Sequence, residues 1–190
     1  IIDGTEHFNT VLYTGTGSSH AITGVGFSPD FTWIKKRNGT TDHQLVNSVV
    51  GYPNGTLLSN QTDAEYTAAA RVDSADADGF TVSSPGQVNA SSDTYVAWNW
   101  LAGTAFSNDA SATSVGTIDS EGQVNATAGF SIIKYTGTGS AGTIAHGLSA
   151  APEMLIIKNR DTARDWMVYH SALGASKRIW LNYNLAEDSG

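Results

Sequence analysis

The chain spells one glycine-rich hexapeptide, Tyr-Thr-Gly-Thr-Gly-Ser, at residues 13–18 and again at residues 135–140. The sequence around it also repeats: segment 8–37 aligns with 130–160 at an offset of 122 residues, which becomes 123 after a one-residue insertion. Two further pairs of segments match more weakly: 43–51 over 166–174, and 56–60 over 179–183. Self-similarity of this kind indicates a repeated structural unit, so we predict an internal duplication.

The residues before each hexapeptide alternate as a half-buried β-strand does. Val11 and Tyr13 fall on one face, and Leu12 falls on the other. In the second copy Ile133 and Tyr135 occupy the first face, opposite a lysine. The first face is apolar in both copies, so we predict that it is core and that the opposite face is solvated.

The hexapeptide itself suggests either a phosphate-binding loop or a turn. A dinucleotide fingerprint needs a helix directly after the glycines and an acidic residue about 20 positions further on. Strand-like segments follow the glycines in both copies. We therefore predict a turn that ends the strand, with glycines that permit positive φ.

Short strands and turns dominate the rest of the chain. Charged residues make up only 15% of it, and glycine is abundant at 20 residues. Two matched runs, 30–37 and 153–160, begin apolar on both faces and end in basic residues, which predicts central strands. The pattern favours an all-β chain folded as an antiparallel β-sandwich of the jelly-roll or concanavalin-like kind.

The repeat sets the expected domain limits. Residues 1–102 form the first unit, 103–128 a linker with a short strand at Val115–Ile118, and 129–190 a partial second unit. The second copy has no counterpart of the segment around Tyr95 to Trp100. An alternative phasing, in which residues 65–190 close one sandwich, stays open. The chain begins without methionine, which predicts a piece of a longer protein or a processed product.

The net charge and the hydropathy of the chain bear on two kinds of partner, nucleic acids and membranes. The formal net charge is −8, whereas nucleic-acid affinity depends on Lys and Arg contacts with phosphates. No apolar run approaches the ~20 residues that span a bilayer. We predict neither nucleic-acid binding nor membrane insertion.

Three carboxylates, Asp73, Asp76 and Asp78, precede a glycine and raise the question of calcium. An EF-hand needs acids at fixed positions and a glutamate at the twelfth, and here Pro85 falls at that position when Ser74 is taken as the first. A calcium site of another loop type stays open beside an acidic turn between strands. No other cofactor is predicted.

An aromatic run, Tyr95, Trp98 and Trp100, ends the first copy. The two tryptophans are two residues apart and share one face of a strand. Flat aromatic rings stack on sugars, so a glycan site is one interpretation, and packing in a buried strand is the other. Trp33 also lies in a strand-like run and is predicted to be core.

Catalytic motifs are missing from the sequence. The five histidines have no metal-ligand spacing, and there is neither a nucleophile elbow nor a cysteine. Acidic residues cluster in turns rather than pairing on a strand, as a glycosidase would require. We predict that the chain is not an enzyme.

Three elements in order resemble a repeated β-domain of structural proteins of tailed, often marine, bacteriophages. They are Y-T-G-x-G, P-x-x-x-x-I-K-x-R and Y-V-A-W-x-W. The resemblance implies a sandwich fold, a virion or extracellular location and a role in a tail fibre or another tail-associated appendage. It also implies partners among virion proteins or copies of itself, with a trimer as one arrangement, and contact with host-surface glycans. Alternatives are a capsid decoration or head-fibre protein, and a secreted or cell-surface carbohydrate-binding module.

Overall fold

A computed structural model describes residues 3–189, and in that range the chain is almost entirely strands and turns. Its β-strands are β1 (Phe8–Thr14), β2 (His20–Thr23), β3 (Phe31–Lys36), β4 (Gln44–Asn47), β5 (Val72–Asp76), β6 (Gly79–Val82), β7 (Thr94–Trp100), β8 (Thr104–Asn108), β9 (Ser120–Asn125), β10 (Phe130–Tyr135), β11 (Met154–Ile157), β12 (Met167–His170), β13 (Lys177–Trp180) and β14 (Asp188–Ser189). Helical segments are short: α1 (Gly86–Asn89), α2 (Ala110–Thr113) and 3-10 turns at Gly4–Glu6 and Ser171–Leu173.

All strand pairs within the sheets are antiparallel, which confirms the predicted all-β class. Two sheets have the orders β1-β7-β3-β4 and β2-β6-β5. Two more have the orders β10-β9-β8 and β11-β12-β13-β14. We refer to residues 3–102 as the first region and to residues 129–189 as the second region.

The main hydrophobic core joins the first two sheets in a sandwich-like arrangement. Ile34 and Tyr95 come from one sheet and Phe80 and Val82 from the other, and all four are fully buried. Every strand of these two sheets lies between residues 8 and 100. Burial of such apolar side chains is the largest favourable contribution to folding.

The predicted faces of β1 are confirmed. Val11 and Tyr13 pack against the core, while Leu12 on the opposite face is 61% exposed. The alternation follows from the pleat, which sends successive side chains to opposite faces.

Both hexapeptides form the predicted turn after a strand. The second glycine has positive φ in each copy, +79° at Gly17 and +77° at Gly139. The threonine between the glycines bonds in the same way in both: its Oγ1 donates to the carbonyl two residues on, at 2.9 Å for Thr16 and 3.4 Å for Thr138. A residue with a Cβ is strained at such φ values, which explains the glycine at this position.

Three strands of the aligned segments start at matched positions. β10 starts 122 residues after β1, and both β11 and β12 start 123 residues after β3 and β4. Their neighbours differ, because β3 lies between β7 and β4 whereas β11 ends its sheet. The prediction of a central strand is therefore wrong for β11, since no described strand takes the place next to it that β7 takes next to β3.

The segment 103–128, predicted to be a linker, is instead folded. It holds β8, α2 and β9, and β9 pairs with both β8 and β10. The short strand predicted at Val115–Ile118 is reduced to an isolated parallel bridge between Ile118 and Ile144. The abundance of Ser, Thr and Ala made these strands hard to recognise in the sequence, because small residues are common in linkers as well.

Contacts from the second region tie it to residues 58–65 of the first. The Arg160 guanidinium donates to Glu65 at 2.6 Å and 2.9 Å, and that ion pair raises the pKa of Arg160. Lys158 Nζ donates to the Thr62 carbonyl at 3.1 Å, and Trp166 Nε1 donates to the Leu58 carbonyl at 2.8 Å. These partly buried contacts, one of them bidentate, hold the second region against this loop.

Candidate functional site

β7 divides its aromatic residues between two faces. Tyr95 is fully buried, and Trp98 and Trp100 are half-buried on the opposite face. The prediction that the two tryptophans share a face is confirmed. The structure separates them from Tyr95 by the thickness of the sheet, because odd and even residues of a strand point to opposite sides.

Tyr95 is a core residue whose hydroxyl finds its hydrogen-bond partners inside the protein. Its hydroxyl donates to the Gly86 carbonyl at 2.8 Å and accepts from the Ala90 amide at 2.9 Å. Its ring stacks on Tyr13 with centroids 5.1 Å apart, and burial raises the pKa of Tyr95. A fully buried ring offers no face to a sugar, so Tyr95 does not belong to a glycan platform.

Trp100 packs within an aromatic cluster. Its ring centroid lies 4.8 Å from that of Phe8, 5.2 Å from that of Phe31 and 6.1 Å from that of Phe130. The pair with Phe8 is tilted, the pair with Phe31 is edge-on and the pair with Phe130 is stacked, and aromatic pairs of these kinds add stability beyond the buried area. Because Phe130 begins β10, Trp100 joins the first sheet to the third.

Trp98 lies in a second group with Trp33 and His43, which we call the outer aromatic face. The Trp33 and Trp98 rings meet nearly edge-on at 6.2 Å, and Trp33 Nε1 donates to His43 Nδ1 at 2.9 Å. Burial, and next the charge of Lys35, lower the pKa of His43, so its imidazole is neutral at neutral pH. All three rings are half-buried, which leaves apolar indole surface beside the imidazole of His43.

Trp33 was not part of the predicted site, and its assignment to the core is wrong. It lies on the solvent side of β3, directly across from Trp98. Alternation along 31–36 would have indicated its face only once the neighbouring buried residue, Ile34, was known to point inward.

The three candidate calcium ligands each bond to donors of the protein. Asp76 accepts from Ser74 Oγ at 2.8 Å, and Asp73 accepts from a serine hydroxyl. Asp78 accepts from the Gly24 amide at 3.1 Å and the Gly26 amide at 2.6 Å, and these bonds lower its pKa. Asp73, Asp76 and Asp78 therefore serve the β5–β6 hairpin and the loop after β2.

Within residues 3–189, no three His, Cys, Asp or Glu side chains come together in a way that could hold a metal ion. The same residues contain no helix that is long and apolar enough to cross a membrane.

A polar cleft of about 500 Å³ lies where β9 and β10 meet the segment after β11, and the sequence had not indicated it. β10 contributes Lys134 and Tyr135 to its wall, β9 contributes Glu121, and Arg160 follows β11. Lys134 and Glu121 form an ion pair at 2.9 Å. Residues so far apart in the chain can be grouped only when the strand order is known.

The fold defines an all-β, sandwich-like protein with an outer aromatic face and a polar cleft. The chain belongs to the family described as a domain of unknown function, DUF7483, whose model matches residues 3–190. No curated protein and no solved structure matches the chain.

Proposed function

We propose that this chain is a structural module of a tailed-bacteriophage virion, in a tail fibre or another tail-associated appendage. The observation that carries the proposal is the ordered set of three sequence elements that resembles the phage β-domain. The chain has no cysteine, few charged residues and strands joined by tight turns. These properties suit a protein that works outside cells. The role is non-enzymatic, and its partners are other virion proteins or further copies of the chain.

The architecture that accompanies this role is a duplicated β-sandwich of the jelly-roll or concanavalin-like kind, in which the second copy is incomplete. The matched starts of β1 and β10, of β3 and β11, and of β4 and β12 support it. The similar φ angles of Gly17 and Gly139 support it as well. Modules repeated along a chain build elongated objects at low sequence cost.

Electron microscopy of the source particles, labelled with an antibody against this chain, tests the virion role. Label on tails or fibres is the expected result. Label on heads would replace the proposal with a capsid decoration or head-fibre role. Label only on cells or in the soluble fraction would overturn the virion role altogether.

A second candidate function is glycan binding at the outer aromatic face, as in host attachment or in a carbohydrate-binding module. The half-buried pair of Trp33 and Trp98 beside His43 favours it. A sugar ring would lie on the exposed indole surface while neighbouring polar atoms bond its hydroxyls, the combination found in small-ligand sites.

A glycan array, followed by titration of any hit against tryptophan fluorescence, tests this second function. Trp98→Ala should weaken binding at least about tenfold, the loss expected when one main contact is removed. Tyr95→Phe is the matched control. Tyr95 is fully buried on the opposite face, so removing its hydroxyl should leave the affinity for the glycan unchanged. Equal affinity of wild type and Trp98→Ala would exclude the outer aromatic face.

A further inference from the structure

Trp33 in the outer aromatic face is held by one hydrogen bond, and that bond depends on the protonation state of its partner. Trp33 Nε1 donates to His43 Nδ1 at 2.9 Å, and an indole N–H can only donate. His43 Nδ1 must therefore accept, which places the proton of the neutral ring on Nε2. Within residues 3–189, the structure gives the Trp33 indole no other acceptor.

Protonation of His43 removes this acceptor. An imidazolium carries a proton on each ring nitrogen, so both nitrogens donate and neither accepts. Two N–H groups would then point at each other across the 2.9 Å between the Trp33 and His43 nitrogens. Because a partly buried donor without an acceptor is costly, the two rings must separate until water can satisfy both.

The backbone at His43 is fixed independently of its ring. The His43 amide donates to Asn60 Oδ1 at 3.0 Å, and Asn60 Nδ2 in turn donates to Asp42 Oδ1 at 2.7 Å. Gln61 Nε2 donates to the same carboxylate oxygen at 2.8 Å. None of these bonds involves the imidazole. Titration of the ring therefore changes its bond with Trp33 while the surrounding loop stays in place.

Two charged side chains act on the imidazole, and they act in opposite directions. Lys35, on β3, disfavours the protonated ring, whereas Asp42, the preceding residue, favours it. The partners of His43 in its hydrogen bonds, Trp33 and Asn60, are uncharged. Burial has the largest effect, and the pKa of His43 lies below its ordinary value of 6.5. The bond to Trp33 is therefore present at neutral pH and is lost as the pH falls through that lowered pKa.

The orientation of Trp33 matters because its ring is a main part of the outer aromatic face. The Trp33 and Trp98 rings meet nearly edge-on, with centroids 6.2 Å apart and planes at 78°. The two residues lie directly across from each other on β3 and β7, so rotation of one indole changes the surface that both present. A binding surface works best when its side chains are held in one orientation.

We propose that His43 is a positioning residue of the outer aromatic face and makes that face sensitive to acid. The neutral imidazole holds the Trp33 ring beside Trp98, and the protonated imidazole releases it. The consequence for ligands rests on the glycan-binding function proposed above: a glycan should bind at neutral pH and dissociate in mild acid. The change at Trp33 itself needs no ligand.

A pH titration of the nitrogen-labelled full chain, followed by nuclear magnetic resonance, tests the proposal. The indole N–H signal that disappears in Trp33→Phe belongs to Trp33. As the pH falls, this signal should shift with the same midpoint as the His43 ring, below pH 6.5. A Trp33 signal that stays in place, or one whose midpoint differs from that of His43, would overturn the proposal. So would a His43 ring that stays neutral until the chain unfolds.

Two substitutions of His43 define the end points of this titration. His43→Gln offers an amide oxygen that accepts from Trp33 at every pH, so the Trp33 signal should stay near its neutral wild-type position. His43→Phe keeps a ring without an acceptor, so the signal should stay near its acidic position. A transition of wild-type size in either variant would assign the pH dependence to another group and contradict the proposal.

The same coupling should appear in the titration of His43 itself. Trp33→Phe keeps an aromatic ring but has no N–H to donate, so the neutral imidazole loses its stabilising partner. The pKa of His43 should rise by about 0.4–1 unit, the shift that corresponds to one ordinary hydrogen bond. An unchanged or lower pKa of His43 in Trp33→Phe would count against the proposal.

Glycan arrays at neutral pH and below the measured His43 midpoint connect the acid response with binding. Glycans that bind the wild type should lose about three- to tenfold in affinity in acid and should stay bound to His43→Gln. Equal losses in both proteins would overturn the positioning role of His43. A Trp33 signal that stays fixed while glycans bind removes that role and leaves glycan binding. A Trp33 signal that follows His43 while no glycan on the array binds removes glycan binding and leaves the acid response.

Discussion

Two residues at matched positions show how differently the two regions use the same pattern. Ile34 in β3 is fully buried, whereas Ile157 in β11 is 40% exposed. Gly15 is equally instructive: a Cβ there would lie 2.2 Å from the Ala90 carbonyl oxygen, while a Cβ at Gly137 would meet nothing within 4 Å.

The difference has one origin. Most of what covers the matched residues in the first region comes from segment 72–100, which supplies β5, β6, α1 and β7. Within residues 129–189 the structure has no counterpart of that segment. A repeated pattern therefore specifies which face of a strand is apolar, and the burial of that face depends on a neighbour that the pattern does not contain.

The largest effect that separates the regions should come from the matched isoleucines. Ile34→Ala removes fully buried atoms and should cost about 2–5 kcal/mol in the free energy of unfolding. Ile157→Ala should cost about 1 kcal/mol or less, because its side chain already contacts water. Urea unfolding followed by tryptophan fluorescence measures both. Equal losses would mean that the second region is as well packed as the first.

The matched glycines should give the next largest contrast. Gly15→Ala forces a shift of the backbone at Ala90 and should destabilise by about 1–3 kcal/mol, as overpacking does. Gly137→Ala meets open space, and its φ lies outside the left-handed region, so it should be neutral or stabilise by up to about 1 kcal/mol. Thermal unfolding of both variants decides, and a destabilised Gly137→Ala would show that the second hexapeptide is covered in solution.

The tyrosines that begin the hexapeptides should differ by less. The Tyr13 hydroxyl donates to the Val88 carbonyl at 2.7 Å, and Tyr13→Phe leaves that carbonyl without its partner, which should cost about 1 kcal/mol. Tyr135 is 43% exposed. Tyr135→Phe should therefore change the free energy of unfolding by only about 0.5 kcal/mol or less. A larger loss in Tyr135→Phe, measured by chemical unfolding, would reverse the comparison.

Acid should produce the smallest effect, and Asp78 in the first region is the residue to test. Amide donors at Gly26 and Gly24 hold the pKa of Asp78 below its ordinary value of 3.8. A carboxyl whose folded-state pKa is lowered contributes stability above its unfolded pKa and loses it as pH falls through the folded value.

Asp78→Asn should therefore be less stable than wild type near neutral pH, and the gap should close below pH about 4. Urea unfolding across that range measures it. A gap that stays constant into acid would show that the two glycine amides do not depend on the charge.

Local features of the fold were predictable because they depend on neighbours in sequence. The alternation of Val11, Leu12 and Tyr13 indicates the faces of β1, and the glycines of the hexapeptides indicate the turns. The all-β class follows from composition and turn spacing. The placement of Trp98 and Trp100 on one face likewise needs nothing beyond the period of a strand.

The features that sequence reasoning missed depend on pairing between distant segments. Trp33 meets Trp98 only because β3 lies beside β7, about 60 residues further along the chain. β8 and β9 resemble a linker in sequence because their small polar residues carry little hydrophobic pattern, and their partner β10 provides the missing information. The edge position of β11 follows from an absent neighbour, which no local pattern records.

The position of β7 in the chain also determines when the first sheet can form during synthesis. β7 lies between β1 and β3 but is synthesised after both, with residue 100 the last of the strand to be added. Until β7 leaves the ribosome, the edges of β1 and β3 that it will join stay unpaired. Pairing over such a separation is slow, and exposed edges invite aggregation in the meantime. Folding of the first sandwich on the ribosome must therefore wait for one late strand, and a pause in translation before residue 94 would prolong the most vulnerable stage of the nascent chain.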